Sequence, residues 1–295
     1  MDLFTNTQLA ASSQTLFNKK LTQFISLMPQ SKQTINDLIS NPEEAQNALN
    51  QTKTLTQTPA NQHMFLSAVV AYLKHTEQGK STPESIKTQW LTLQKANWSK
   101  RTVQTNTPTE NQVQVAQNVT WQDVINKRNS LTPGSPEHLL LSLYTYLPPV
   151  RADYFEVRLN PPTAVKEDPH SNFITLSTKT LIIRDFKTAK TYEEIKHTIP
   201  EPLYETLTQS LKQTPRNYLF VMPSDPTRPY DRGGFSKWAN KVLSSLFNVP
   251  MTLTSLRHLF ISTLDFNARS SELEKIGNAM GHSLSMQKGY QWIEE

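Results

Sequence analysis

Apolar residues recur with a helical period along most of the chain, and with a short β-branched pattern in one central region. Over residues 62–74, Phe65, Leu66, Val69, Val70 and Leu73 follow a 3.6-residue period, and Gly79 lies just past the end, which predicts a helix. Ser81-Thr82-Pro83-Glu84 has capping-box spacing and predicts a second helix with Ile86, Trp90 and Leu93 on one side. Trp90 and Trp98 are expected in the core. Upstream, residues 1–60 are rich in Gln, Thr, Asn and Ser, with short apolar groups such as Leu21, Phe24, Ile25 and Leu27. Asn41-Pro42-Glu43-Glu44 has the order of an N-cap, an N1 proline and an acidic first turn. Residues 51–59 lack usable periodicity and are expected to be a linker.

Residues 101–113 are polar without a repeating apolar pattern, which marks a boundary between two helical regions. Beyond it, Thr120 caps an expected helix over 121–128. Ser135-Pro136-Glu137 starts another, whose apolar run 139–147 is ended by Pro148-Pro149. The segments 173–176, 180–185 and 192–198 are short and β-branched, as strands of a small antiparallel sheet would be. Helices are expected again at 202–212, at 235–247 behind Asp231 and the Gly233-Gly234 pair, and at 254–266, 271–280 and 284–293. The order implies an α+β protein: an all-α domain over 1–110, then a mostly helical domain over 115–295 with a three-stranded antiparallel insert. No internal repeat is visible.

Composition narrows the function. The chain has 295 residues and is only 36% hydrophobic. The mean hydropathy of −0.53 reflects Gln, Asn and Thr more than charge blocks. The net charge is +5, with ten of the 30 basic and seven of the 25 acidic residues in 1–110. Neither half is a basic tail, so any polyanion must be met by charges gathered locally. The absence of cysteine excludes disulfides, Cys-ligated zinc and thiol nucleophiles. No signal peptide and no stretch of ~20 apolar residues is present, so a soluble intracellular protein without a membrane partner is expected.

Five places carry unusual chemistry. Arg151 follows the Pro-Pro turn, and Lys187 lies in Asp185-Phe186-Lys187-Thr188-Ala189-Lys190, between two expected strands. Arg257 and His258 interrupt an apolar helix, Gly281-His282-Ser283 separates two helices, and Tyr290 follows His282 by eight residues. Taken singly, Arg151 is a surface partner for Asp153 or Glu156, Lys187 a solvated lysine, and Tyr290 an aromatic on an amphipathic helix. Arg257 is harder to dismiss, because a buried guanidinium needs partners.

In chain order, these residues resemble the tyrosine recombinase (phage integrase) family over about residues 117–292. Pro149-Val150-Arg151-Ala152-Asp153-Tyr154 resembles its first arginine box, and Phe186-Lys187-Thr188-Ala189-Lys190 its hairpin lysine. Thr254-Ser255-Leu256-Arg257-His258-Leu259-Phe260 resembles its second arginine box. Met280-Gly281-His282-Ser283 with Tyr290 resembles the end of its catalytic domain. The resemblance implies that Tyr290 attacks a DNA phosphodiester to give a 3′-phosphotyrosyl bond. Arg151 and Arg257 would hold the non-bridging oxygens, Lys187 would protonate the leaving 5′-oxygen, and His282 would donate to a phosphate oxygen. It implies no cofactor and no metal.

Three positions depart from the pattern. Thr254 stands where the family often has histidine, and it cannot carry the nucleophile's proton as imidazole does. His258, the nearest imidazole, points about 100° away on the helix and is read as structural. Tyr154 occupies the usual acidic position, with Asp153 displaced by one. The short His282–Tyr290 spacing resembles a branch from mobile elements and viruses of eukaryotes, which implies genome integration in a host nucleus or cytoplasm, or packaging in a virion.

The resemblance also implies that the N-terminal helices are a core-binding domain clamping double-stranded DNA, with Lys87, Lys95, Lys100 and Arg101 as candidate phosphate contacts. It implies a homotetramer on paired sites. Only residues 291–295 follow Tyr290, so assembly would need contacts other than a C-terminal docking segment. The alternatives are a catalytically inactive DNA-binding relative, a monomeric type IB topoisomerase-like enzyme, and an interaction scaffold.

Overall fold

The computed structural model describes residues 3–5, 7–52, 58–265 and 270–283, and divides into two compact units, Met1–Pro108 and Thr109–Glu295. The first is all helical: α1 (Ala11–Leu27), α2 (Ile35–Ser40), α3 (Pro42–Gln51), α4 (Pro59–His75), α5 (Glu77–Lys80) and α6 (Glu84–Asn106). Helix α4 packs against α1 and α6. Its Phe65, Leu66, Val69 and Leu73 are buried, as the period requires. Phe24 sits edge-on to both Phe65 and Trp90, and the Trp90 indole donates to the Ile39 carbonyl at 3.0 Å, so the buried indole N–H is satisfied.

Trp98 departs from expectation: it is 52% exposed. Eight residues separate it from Trp90, a rotation of roughly 80° on an α-helix, so it lies at the edge of the α4 contact, with its ring 5.1 Å from that of His63 and its other side in solvent. The start of α6 also differs. Ser81 and Thr82 hydroxyls donate back to the Gln78 carbonyl, and no side chain caps the helix. The stretch 101–113 is not irregular chain. It comprises the end of α6 and the first turn of α7 (Glu110–Asn118), which starts with a capping box between Thr109 and Gln112.

The second unit continues with α8 (Trp121–Ser130) and α9 (Pro136–Tyr146), and is α+β but mostly helical. Six successive residues of α9, Leu139 through Tyr144, are buried, and α8 and α12 (Glu201–Gln213) pack against it. A helix apolar on all sides belongs at the centre of a core. The main sheet is mixed and four-stranded: β1 (Arg158–Leu159) runs parallel to β2 (Phe173–Thr175), followed by antiparallel β3 (Thr180–Ile183) and β4 (Ile195–Thr198). Helix α10 (Thr163–Glu167) lies between β1 and β2 in sequence, and α11 (Ala189–Tyr192) between β3 and β4. A second sheet pairs β5 (Val221–Met222) with β6 (Asp225–Pro229). Helices α13 (Arg232–Phe247), α14 (Leu253–Ser262) and α15 (Ser270–Ala279) follow.

The three-stranded expectation is therefore corrected to four mixed strands plus a two-stranded sheet. Two-residue strands leave no alternation to detect, and the two prolines of β6 argue against a strand. The expected third strand begins at Ile195 rather than 192, because Ala189–Tyr192 forms a helical turn. Lys187 thus precedes that turn rather than sitting at the tip of a tight hairpin. The helix expected at 284–293 lies outside the described residues.

Candidate active site

Helix α14 starts with Thr252, whose hydroxyl accepts from the Ser255 amide at 3.1 Å in a capping box. The Asn240 side chain of α13 accepts from the Leu253 amide at 2.9 Å and ties the two helices together. This placement buries Leu256, Leu259 and Arg257, the last of them 0% exposed.

Arg257 reaches two segments far away in the chain. Its Nη1 donates to the Pro149 carbonyl at 2.9 Å and to the Met280 carbonyl at 3.5 Å. Its Nη2 lies 2.6 Å from His282 Nδ1. A guanidinium is always protonated, so Nδ1 must accept, and the neutral imidazole carries its proton on Nε2. Burial, then Arg257, then Arg151, push the His282 pKa down to about 3. Arg151 is thus near enough to act electrostatically on this imidazole.

The turn bearing Arg151 is held by its backbone. Its carbonyl accepts from the Tyr144 hydroxyl at 2.5 Å, and its amide donates to Asp153 at 3.2 Å. The Asp153 carboxylate is paired with Arg232, so Asp153 does not neutralise Arg151, and Arg151 makes no ion pair among the described residues. Tyr144 and Tyr154 stand edge-on at 5.1 Å between centroids. Burial is the first cause holding both phenols well above the ordinary tyrosine range, so neither supplies a phenolate here.

Lys187 is exposed, but its neighbours are anchored. Phe186 packs against Gly281, and the Thr188 hydroxyl donates to the Gly281 carbonyl at 2.6 Å. Gly281 has φ +66°, a left-handed conformation that glycine adopts without strain. The segments carrying Arg151, Lys187, Arg257 and His282 are therefore linked to one another around Arg257 and Gly281. Thr254 is exposed on the first turn of α14 and joins none of these hydrogen bonds. His258 faces α7, with Gln112 Nε2 at 3.4 Å. Tyr290 lies outside the described residues.

Two participants, Arg232 and Asn172, escape a reading of the sequence, and Asp185 and Thr188 enter it only as neighbours of Lys187. A weak signal exists for Arg232, since a cation at the first position of a helix opposes the macrodipole and needs acidic partners. In the N-terminal unit, Lys95 and Lys100 are exposed, and the Arg101 guanidinium lies 5.1 Å from the Trp98 ring. Lys87 differs: its ammonium donates to the Lys80 carbonyl at 2.7 Å and pairs with Glu84 at 3.5 Å. Among the described residues no group of three or more His, Asp or Glu side chains is gathered as a metal site would require, and no helix is long and apolar enough to cross a membrane.

A pH prediction follows from His282. Its folded pKa lies below the ordinary 6.5, so its contribution to stability is complete above about pH 6.5 and is lost progressively as pH falls toward about 3. Between pH 7 and pH 5 the loss reaches up to about 2 kcal/mol. Thermal melts should show a lower midpoint at pH 5, with a shallower fall in His282→Gln. His63, His138 and His197, also shifted down chiefly by burial, keep the variant from being flat. Parallel profiles for the two proteins would contradict this assignment.

No family model matches the chain, and no curated protein matches it. Among solved structures, the crystal structure of XerA recombinase aligns over 98% of this chain and 90% of its own, with 15% identity and a TM-score of 0.41. At that level the likeness says nothing of chemistry, which has to come from the side chains.

Proposed function

We propose that this chain is a DNA strand-exchange enzyme of the tyrosine recombinase type, with Tyr290 as nucleophile. The observation that carries the reading is the linkage of four sequence-distant segments: Arg257 bonded to Pro149 and His282, and Thr188 bonded to Gly281. Two guanidiniums, an ammonium and an imidazole N–H drawn from such segments suit one tetrahedral phosphate.

In this reading the Tyr290 oxygen forms a bond to phosphorus while the P–O5′ bond breaks. The phenol proton leaves to water, because Thr254 cannot hold it, and Lys187 gives a proton to the departing 5′-oxygen. Arg257 and Arg151 stabilise the charge gathering on the non-bridging oxygens, and His282 donates from Nε2. One ester replaces another, so attack by a 5′-hydroxyl reverses the step and rejoins strands. Lys95, Lys100 and Arg101 contribute salt-sensitive phosphate contacts, and exchange takes place in a homotetramer on paired duplex sites. The exposed Thr254 favours a second reading, an inactive DNA-binding relative.

The test uses nicked duplexes of randomised sequence, from which the fragment bearing the released 5′-hydroxyl diffuses away and strands the protein on DNA. A covalent adduct mapped to Tyr290 by mass spectrometry is the expected result. Low-salt DNA binding without an adduct would establish the inactive relative. Relaxation of plasmid supercoils by a monomer would establish a topoisomerase-like enzyme.

A further inference from the structure

The Arg232 side chain bridges the turn that carries Arg151 to the turn that carries Lys187. Arg232, at the start of α13, donates from Nη1 to Asp153 Oδ1 at 2.5 Å, and from Nη2 to the Asp185 carbonyl at 3.0 Å and its Oδ1 at 3.2 Å. Its guanidinium also lies over the Phe155 ring, 4.4 Å from the centroid. Asp153 stands two residues after Arg151, and Asp185 two before Lys187. The Asp153 side chain is only 2% exposed, so its charge depends on this partner.

Asn172 reinforces the same junction. Its Oδ1 accepts from the Arg184 and Asp185 amides at 2.9 Å each, and its Nδ2 lies 3.4 Å from the Asp153 and Asp185 carbonyls. With two acidic partners already on it, Arg232 is neutralised where it stands. That suits holding protein segments together more than gripping a phosphate.

We propose that Arg232 is a positioning residue that sets the Arg151 turn against the Lys187 turn, so that both cations meet the same phosphate; this rests on the strand-exchange reading above. The two arms of a planar guanidinium point to two partners at once, which a single ammonium cannot reproduce. Arg232→Lys should therefore behave as a loss variant despite keeping its charge.

The test compares wild type, Arg232→Lys, Arg232→Ala and Arg232→Ala/Asp153→Asn, the last removing the buried carboxylate charge that the alanine variant would strand. Two readouts are taken: the rate of covalent adduct formation on nicked DNA, and amide hydrogen exchange of 150–155 and 184–188 in the free protein. Adduct formation should fall at least tenfold in Arg232→Lys and a hundredfold in the alanine variants, with DNA affinity within threefold. Exchange in both turns should speed up at least tenfold. On DNA with sulfur in place of the 5′-bridging oxygen, the thiolate leaves without Lys187's proton, and part of the loss should be recovered, which a general folding defect would not allow. Unchanged exchange in the two turns, or equal losses on the oxygen and sulfur substrates, would overturn the proposal. If wild type itself forms no adduct, the strand-exchange reading fails, while the exchange data still report whether Arg232 joins the turns.

Discussion

Arg257→Ala is expected to lose about 2–4 kcal/mol of stability and to reduce covalent adduct formation by a further factor of about 10²–10³. The guanidinium is fully buried, and its removal takes the donor from the Pro149 carbonyl, the Met280 carbonyl and His282 Nδ1 together. Each buried acceptor left without a donor costs about 1–3 kcal/mol, and the space vacated by a large side chain adds to that. Relief from keeping a cation out of water offsets part of the loss. The charge also depresses His282, though as the second cause after burial, so the imidazole of the variant should titrate higher while remaining below 6.5. Arg257→Lys keeps the charge but cannot span acceptors on two sides, and should fall between wild type and alanine in stability. Urea unfolding gives the first number, provided the slope is unchanged; NMR titration of His282 gives the second; the nicked duplex gives the third. A stability loss below 1 kcal/mol with His282 unmoved would show that Arg257 is not what joins these segments.

Residues differ in how far they advertise themselves before folding. Arg257 is legible because a cation flanked by Leu256 and Leu259 on an apolar helix has no exposed face to choose, and it is indeed buried. The α+β order and the long amphipathic helices are legible for a related reason: a period of 3.6 sustained over three or more turns matches no strand or loop. Arg232 is barely legible, because its partners lie 79 and 47 residues away, and its place at the start of a helix is the one local feature that sets it apart from a solvated arginine. Strands β1 and β5, at two residues each, carry no alternation. The division between the two units falls inside the 101–113 stretch, but the helices within it go unread because they are polar, although Thr109-x-x-Gln112 spells the capping box that starts α7. Trp98 misleads because aromatic character alone says nothing of the rotation along a 23-residue helix.

Substituting Gly281 should separate two demands that fall on one residue. Its φ of +66° would cost an alanine about 1–2 kcal/mol. A Cβ there would also sit 3.1 Å from Phe186 Cε2 and 3.1 Å from Ile195 Cδ1, closer than side-chain carbons ordinarily pack. Asparagine tolerates the left-handed region far better than alanine, yet it brings the same Cβ. If the backbone angle alone mattered, Gly281→Asn would be mild. The close approach predicts instead that Asn and Ala both lose about 2–3 kcal/mol, and that valine, strained and branched, loses more than about 4 kcal/mol. Phe186 yields first, being a ring edge at the end of a turn, and Lys187 is its neighbour in the chain. The Thr188 hydroxyl, bonded to the Gly281 carbonyl, moves with it. On the strand-exchange reading, adduct formation should therefore fall at least tenfold in Gly281→Ala, while DNA affinity, which that reading assigns largely to phosphate contacts elsewhere, stays within threefold. Filter binding beside adduct kinetics measures the split, and a variant that loses affinity and adduct rate in equal measure would place Gly281 among the DNA contacts instead.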